Sequence, residues 1–188
     1  MTLKEKRPAL LVVDIQKGFD DIAYWGGARN NPDAEEKAAQ ILKAWRTANL
    51  PVFIIQHSST EPQSLLNPAH PGFELQDAFK PEANESLIVK KVNSAFIGTN
   101  LQAQLDAQGI DTVVIVGLTT NHCVSTTTRM AGNLGYHTYL IADATATFDR
   151  VGVNGEKYSA ETLHLTTLAN LRDEFATVMS TAQLLEAL

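Results

Sequence analysis

The chain has 188 residues, 44% of them hydrophobic and 19% charged, with a formal net charge of −6 at pH 7. This size predicts one globular domain over residues 1–188, and the acidic balance argues against a nucleic-acid partner, which would require a basic face. No apolar stretch is long enough to span a membrane, no signal-peptide cleavage site follows the short apolar run Ala9–Val13, and the lone cysteine cannot form an internal disulfide. We therefore expect a cytoplasmic protein without a membrane partner.

Short apolar runs that do not alternate with polar residues recur along the chain. Such runs are typical of strands buried on both faces, as in a parallel sheet. The predicted strands are Pro8–Asp14, Pro51–His57, Ser86–Lys91, Asp111–Leu118, His137–Asp143 and Phe175–Ser180.

Amphipathic segments predict helices between most of these strands. The longest, Asp33–Asn49, starts with an aspartate expected to cap the helix and stops before Pro51. Strand–helix alternation of this kind predicts a three-layer α/β/α domain with a mainly parallel sheet. The other predicted helices lie in Thr99–Gly109, Asn121–Tyr136, Ser159–Leu171 and Thr181–Leu188.

Two irregular segments, residues 15–32 and 58–85, are longer than a compact domain usually contains without a functional reason. Both follow predicted strands. In open α/β sheets, ligands bind beyond the carboxyl ends of the strands. We therefore expect these two loops to cover a ligand site.

Three reactive groups fall at predicted strand ends. Asp14 ends the first strand, Lys90 and Lys91 end the third, and Cys123 follows the fourth where a helix is expected to begin. A helix N-terminus and a nearby ammonium would both lower the pKa of a thiol from about 8.5, and a carboxylate could accept and return its proton. Together these groups could attack an electrophilic carbon.

Each of these residues also has an ordinary structural interpretation. A lone cysteine is often a small buried hydrophobe, an aspartate after a strand often caps a turn, and a lysine is usually solvated. A Cys123–His122 dyad is not expected, because adjacent side chains point apart. No metal-ligand spacing links the five histidines, of which His57 is notable for its place at the end of the second strand; they are His57, His70, His122, His137 and His164.

Other catalytic signatures are absent from the sequence. No glycine-rich dinucleotide or phosphate-binding motif, serine nucleophile elbow or C-x-x-C pair occurs.

The chain instead resembles the isochorismatase-like cysteine hydrolases, a family that includes nicotinamidases and carbamoylsarcosine-type amidohydrolases. Four segments carry this resemblance: Ala9–Phe19, Ile88–Leu101, Val113–Tyr136 and Ile141–Phe148.

The resemblance implies a catalytic triad of Asp14, Lys90 and Cys123, in which Cys123 forms a thioester with the substrate. Lys90 is preferred over Lys91 because the lysine of the family lies four residues before the serine that is here Ser94. By the same resemblance, the main-chain N–H groups of Thr119 and Cys123 form an oxyanion hole, and the Leu118–Thr119 peptide bond is cis.

The fold implied by the resemblance is a Rossmann-like, six-stranded parallel sheet with strand order 3-2-1-4-5-6. Because neighbouring strands lie about 4.8 Å apart, this order starts Lys90 roughly 10 Å from Asp14. Family members are commonly dimers or tetramers, so the resemblance also implies a homo-oligomer.

Departures from the family narrow the expected function. Nicotinamidases carry an Asp-x-His and a second histidine that hold a metal, whereas this chain keeps only His57 in that stretch, so neither a metal nor another cofactor is expected. True isochorismatases cleave a vinyl ether and do not keep the nucleophilic cysteine. The expected substrate is a small molecule with an amide, ureido or carbamoyl bond.

The substrate pocket is expected at the start of the first long loop and the end of the second strand. Trp25 has the alternative interpretation of a loop anchor. Non-catalytic ligand binding and thiol sensing remain alternatives for the protein as a whole. The candidate substrate-binding residues are Gln16, Phe19, Tyr24, Trp25 and His57.

Overall fold

Six parallel strands form the central sheet in a computed structural model, which describes residues 3–188. Their spatial order is third, second, first, fourth, fifth and last, which confirms the predicted order and the three-layer α/β/α class. The strands are β1 (Ala9–Val13), β2 (Val52–His57), β3 (Ser86–Lys90), β4 (Thr112–Leu118), β5 (His137–Ala146) and, last in the chain, β8 (Thr177–Met179).

A small antiparallel hairpin outside this sheet was not predicted. Its strands β6 (Arg150–Val151) and β7 (Lys157–Tyr158) are two residues each, too short for an alternation signal. The hairpin inserts between β5 and the following helix, so the sixth strand of the sheet is the eighth strand of the chain.

Helices cover both faces of the sheet, and none within residues 3–188 is long and apolar enough to cross a membrane. Asp33 precedes the longest helix but makes no side-chain cap hydrogen bond, which corrects the predicted cap. Ser180, by contrast, forms a reciprocal capping box with Gln183. The helices are α1 (Ile22–Trp25), α2 (Ala34–Thr47), α3 (Leu101–Ala107), α4 (Ser125–Asn133), α5 (Ala160–Leu171) and α6 (Thr181–Ala187).

The hydrophobic core lies in two layers, one on each face of the sheet. Alternate residues of β1 point to opposite faces, so Leu10 and Val12 enter one layer and Leu11 enters the other. The helices α2 and α6 close the first layer, and α3, α4 and α5 close the second. Strands β1 and β4 are buried along their whole length, which explains their unbroken apolar sequences.

The two long loops contact each other beyond the carboxyl ends of the strands. Gln16 pairs with Leu75 in an isolated β-bridge. A Cβ added to Gly72 would lie 2.7 Å from the Cα of Gly18, so the two chains approach more closely there than a side chain would allow. The loops together therefore form one cover over the end of the sheet.

Candidate active site

Asp14 leaves the carboxyl end of β1 in a left-handed conformation, with φ of 52°, and its side chain is fully buried. Its N–H still donates to the Ile55 carbonyl at 3.0 Å, so the residue turns away from the strand only after its last ladder hydrogen bond. On the other side of β1, a Cβ at Gly117 would collide with the Val13 carbonyl, so only glycine lets β4 lie this close. The close pairing of β1 with β4 therefore places Asp14 next to the segment that follows β4.

Lys90 crosses the end of β2 to reach Asp14. Its Nζ lies 2.7 Å from Asp14 Oδ2, and neither side chain has exposed surface. The long lysine side chain thus spans the two strand spacings that separate β3 from β1. Lys91 points outward and is exposed, which agrees with the preference for Lys90.

Cys123 lies in one turn of π-helix, Thr120–Val124, that connects β4 to α4. The sequence placed this thiol at the N-terminus of an α-helix, whereas α4 begins only at Ser125. The turn starts after the Leu118–Thr119 peptide bond, which is cis. Cys123 Sγ lies within 4.8 Å of both an Asp14 carboxylate oxygen and a His57 ring nitrogen.

Burial and charge together set the protonation of these groups. Burial, and after it the Asp14 carboxylate, raises the pKa of the Cys123 thiol to about 12, while Lys90 acts in the opposite direction. This corrects the expectation that a helix N-terminus would lower that pKa. Burial alone would lower the pKa of Lys90, but Asp14 and Cys123 outweigh it, and the pKa is raised. At neutral pH the ammonium is therefore charged and the thiol keeps its proton.

The Asp14 carboxylate has few partners for a buried charge. Apart from the Lys90 ammonium and the Cys123 thiol, no donor within residues 3–188 reaches either oxygen. This buried carboxylate therefore lies between one ammonium and one thiol. Cys123, unlike Asp14 and Lys90, is only partly buried, so the group that ligands can reach is the thiol.

Thr119 precedes the Thr120–Val124 turn that carries Cys123. The Thr119 carbonyl accepts from the N–H groups of His122 and Val124, at 3.1 and 3.2 Å, and these bonds wind the turn. The Thr119 N–H itself donates no hydrogen bond within the described chain. It is therefore available to an oxygen atom of a ligand, as the predicted oxyanion hole requires.

His57 sits at the end of β2, directly opposite Lys90 in the β2–β3 register. Its Nδ1 lies 3.0 Å from Lys90 Nζ, so this histidine contacts a member of the predicted triad. Burial, and after it the Lys90 charge, lowers the pKa of His57, so the imidazole is neutral at pH 7.

Gln16 is fully buried and both hydrogens of its amide are used by the protein. They donate to the carbonyls of His57 and Phe73, at 3.0 and 2.8 Å, and the amide oxygen accepts from the His57 N–H at 2.8 Å. We therefore assign the Gln16 side chain to holding the end of β2, which corrects the interpretation that it lines the pocket.

The site also contains a potential set of metal ligands. Asp14, His57 and Cys123 bring one ligand atom each within 4.8 Å of one another. The Lys90 ammonium, however, contacts two of these groups and would repel a divalent cation. The positive charge of Lys90 thus makes this position unfavourable for a divalent metal ion.

A second group of polar residues holds the Thr120–Val124 turn in place. Thr120 Oγ1 lies 2.9 Å from His164 Nδ1, and Asn31 Nδ2 lies 3.4 Å from Nε2 of the same ring. Asn31 also donates to the carbonyls of Ala142 and Thr145, so the first long loop, β5 and α5 meet behind the turn. Sequence analysis missed this role because Asn31, Thr120 and His164 are at least 44 positions apart in the chain.

An aromatic cluster forms one wall beside the site. Phe19 is buried and stacks on Trp25 with ring centroids 4.6 Å apart, and Phe148 completes the stack. The Trp25 indole donates to the Gly18 carbonyl at 2.7 Å, the contact expected of a loop anchor. Tyr24 is about half exposed and makes an edge-to-face contact with Trp25.

A cavity of about 660 Å³ opens next to this wall, between residues 23–27 and the β6–β7 hairpin. Tyr24 and Trp25 line it, whereas the triad residues do not. Arg150 also lines the cavity. Burial lowers the pKa of His122, the neighbour of Cys123 in the chain, and the positive charge of Arg150 lowers it further. Sequence analysis had not singled out Arg150.

Comparison with known proteins agrees with this geometry. The Isochorismatase domain model matches residues 8–183. The chain is 52% identical over 181 residues to the isochorismatase family protein YrdC of Bacillus subtilis, covering 96% of each chain. It is also 30% identical over 184 residues to Nicotinamidase 3 of Arabidopsis thaliana, covering 91% of this chain and 83% of that protein.

The solved structures show the same relationship. A hydrolase of the isochorismatase family from Chromobacterium violaceum superposes with a TM-score of 0.93 at 41% sequence identity, covering 100% of this chain and 96% of that chain. The sequence, the strand order and the grouping of carboxylate, ammonium and thiol thus lead to one assignment. The chain belongs to the isochorismatase family of hydrolases.

Proposed function

We propose that the protein hydrolyses an amide, ureido or carbamoyl carbon–nitrogen bond of a small molecule through a thioester on Cys123. The observation that carries this proposal is the partly buried thiol above a fully buried Asp14–Lys90 ion pair, whose charged atoms are 2.7 Å apart. Similarity to Nicotinamidase 3, a relative named as an amidase, supports an amide-type carbon–nitrogen bond as the bond that is cleaved.

The raised pKa of the thiol makes a general base necessary. With a pKa of about 12, Cys123 holds its proton at neutral pH and is a poor nucleophile by itself. Asp14 accepts this proton as Sγ bonds to the carbonyl carbon. The ammonium of Lys90 remains beside both groups and stabilises the negative charge that passes between them.

The remaining steps follow from the positions of the same groups. The carbonyl oxygen becomes an oxyanion and accepts hydrogen bonds from the N–H groups of Thr119 and Cys123. As the tetrahedral intermediate collapses, the carbon–nitrogen bond breaks and Asp14 returns the proton to the leaving nitrogen. A water molecule then gives its proton to Asp14 and attacks the thioester, which releases the acid and restores the thiol.

The cavity next to the aromatic wall is the proposed space for the rest of the substrate. Its volume of about 660 Å³ suits a small molecule. Tyr24 and Phe19 stay predicted substrate contacts, whereas the hydrogen bond from the Trp25 indole to the Gly18 carbonyl makes Trp25 the expected loop anchor. The protonated resting thiol is less suited to the alternative of peroxide sensing, since that chemistry requires a thiolate.

Intact-mass spectrometry of acid-quenched protein tests the proposal directly. The protein is mixed for seconds with a panel of small amides, ureido compounds and carbamoyl compounds, and a mass increase on the Cys123 peptide is expected for substrates. The added mass identifies the acyl group.

Two variants control this measurement. Cys123→Ala should show neither adduct nor product, and Asp14→Asn should form the adduct at least about a hundredfold more slowly, because removing one member of such a unit costs several powers of ten. Product formation by Cys123→Ala at the wild-type rate would overturn the proposal.

A further inference from the structure

We infer that His57 is a positioning residue that orients the Lys90 ammonium toward Asp14 and Cys123. The inference rests on the proposed function, because it assigns a task within the same site. Nδ1 of His57 lies 3.0 Å from Lys90 Nζ, and the same ammonium lies 2.7 Å from Asp14 Oδ2.

The chemistry of the two groups fixes which atom donates. An ammonium has three donors and no acceptor, so the Nδ1 atom of His57 must carry a lone pair and the ring proton must be on Nε2. The backbone of Val92 also interacts with the ring and favours its protonated form, against the larger effects of burial and of Lys90. His57 is thus a neutral imidazole whose acceptor nitrogen is directed at Lys90.

The side chain of Gln16 holds the main chain of His57 in place. The Gln16 amide bonds both the N–H and the carbonyl of His57, at 2.8 and 3.0 Å, and so continues the β1–β2 ladder past the end of β1. Gln16 follows Asp14 by two residues. The positions of the carboxylate and of the histidine that directs its partner are therefore set by the same short segment.

The three hydrogens of the Lys90 ammonium are then shared among three groups. One faces Asp14 Oδ2, one faces His57 Nδ1, and Cys123 is the third group within hydrogen-bonding reach. Without an acceptor at His57, a buried N–H would lose its partner and the ammonium could rotate or retreat. Its stabilisation of the Cys123 thiolate would weaken. The charged groups that act on His57 are Lys90 and Asp14.

A matched pair of substitutions isolates the acceptor. In His57→Asn the amide oxygen can take the position of Nδ1, whereas His57→Leu places a methyl group there with nearly the same shape. The rate of Cys123 alkylation by iodoacetamide is measured from pH 7 to 10 for both variants, the wild type and Lys90→Met. Circular dichroism checks that each is folded, and His57→Phe replaces the leucine variant if that variant does not fold.

The inference predicts a rescue by asparagine. His57→Leu should alkylate roughly tenfold more slowly than the wild type at each pH, toward the rate of Lys90→Met, and His57→Asn should stay within about threefold of the wild type. With an amide that forms the acyl adduct, His57→Leu should lower kcat with little change in KM.

Two results would overturn the inference. Equal losses in His57→Asn and His57→Leu would mean that the acceptor is irrelevant, and a rise in KM at constant kcat would make His57 a substrate contact instead. Because alkylation needs no substrate, this readout is valid even if no amide forms an adduct and the proposed function fails.

Discussion

Lys90 and Asp14 form an ion pair with 2.7 Å between Nζ and Oδ2, although the strands that carry them are separated by β2. Neither side chain has exposed surface. The two opposite charges thus neutralise each other in a buried environment. We expect the reactivity of Cys123 and part of the stability of the protein to depend on that contact.

Lys90→Met should be strongly destabilising because it leaves a buried carboxylate without its cation. We expect a loss of about 3–5 kcal/mol in the free energy of unfolding, measured by urea denaturation at pH 7. Lys91→Met, at an exposed neighbouring position, is the control and should change it by less than about 0.5 kcal/mol. The double variant Asp14→Asn/Lys90→Met should recover part of the loss. Similar small effects for Lys90→Met and Lys91→Met would show that the pair does not neutralise a buried charge.

Asp14→Asn and Lys90→Met should alter the reactivity of Cys123 in opposite directions while both abolish turnover. Asp14 raises the pKa of the thiol and Lys90 lowers it. Removing Asp14 therefore increases the thiolate fraction at pH 8, and removing Lys90 decreases it. We expect changes of roughly tenfold or more in the iodoacetamide alkylation rate, since one pKa unit changes the thiolate fraction tenfold. Changes in the same direction for the two variants would contradict this charge arrangement.

The pH dependence of alkylation in the wild type follows from the raised pKa of Cys123. With a pKa of about 12, the thiolate fraction should keep increasing between pH 7 and 10. The same thiol in the urea-unfolded chain should instead level off above its ordinary pKa of about 8.5. Stopped-flow alkylation of folded and unfolded protein makes this comparison. A plateau near pH 8.5 in the folded protein would mean that burial and Asp14 do not raise the pKa.

Trp25→Phe separates the two interpretations of Trp25. Phenylalanine keeps the stacking on Phe19 but loses the hydrogen bond from the indole to the Gly18 carbonyl. If Trp25 anchors the loop, as we expect from that bond, the free energy of unfolding should fall by about 0.5–1.5 kcal/mol with KM nearly unchanged. Tyr24→Phe, which retains the ring that lines the cavity, is the control for stability. A higher KM at unchanged stability would instead identify Trp25 as a substrate contact.

Gly117→Ala should damage the close contact between β4 and β1. Gly117 has φ of 120°, and its Cβ would collide with the Val13 carbonyl one residue before Asp14. We expect a loss well above about 1 kcal/mol together with slower turnover. Gly98→Ala is matched for positive φ, at 68°, but has open space around the Cβ. Equal thermal-stability losses for both variants would show that conformation alone, and not the close contact, requires Gly117.

Local sequence was sufficient to predict the elements of the sheet and one of the helix ends. The unbroken apolar runs of β1 and β4 match strands covered on both faces, and Gly109 ends the α3 segment in the left-handed conformation. The Asp33 cap was wrong because a cap requires main-chain geometry that residue type does not specify. The β6–β7 hairpin was missed because two-residue strands carry no periodic signal.

The sequence predicted which residues form the candidate site, but not how these residues are arranged or protonated. Asp14, Lys90 and Cys123 could be named because each follows a strand and because the surrounding segments resemble one family. The protonation of the thiol could not be predicted, since it depends on burial and on the distance of Cys123 from two opposite charges. Gln16 likewise was read as a pocket residue because its amide partners, at His57 and Phe73, are 41 and 57 positions away.

The sequence by itself determined the strand–helix alternation, the parallel sheet and the three reactive residues, because these follow from local hydrophobic patterns and from residue identity. Only the tertiary structure decided that Lys90 crosses β2 to Asp14, that His57 accepts a hydrogen bond from its ammonium, and that Cys123 is protonated at rest. The reason is physical: hydrogen bonds and Coulomb interactions depend on distances between atoms far apart in the chain, and on burial, and folding alone sets both.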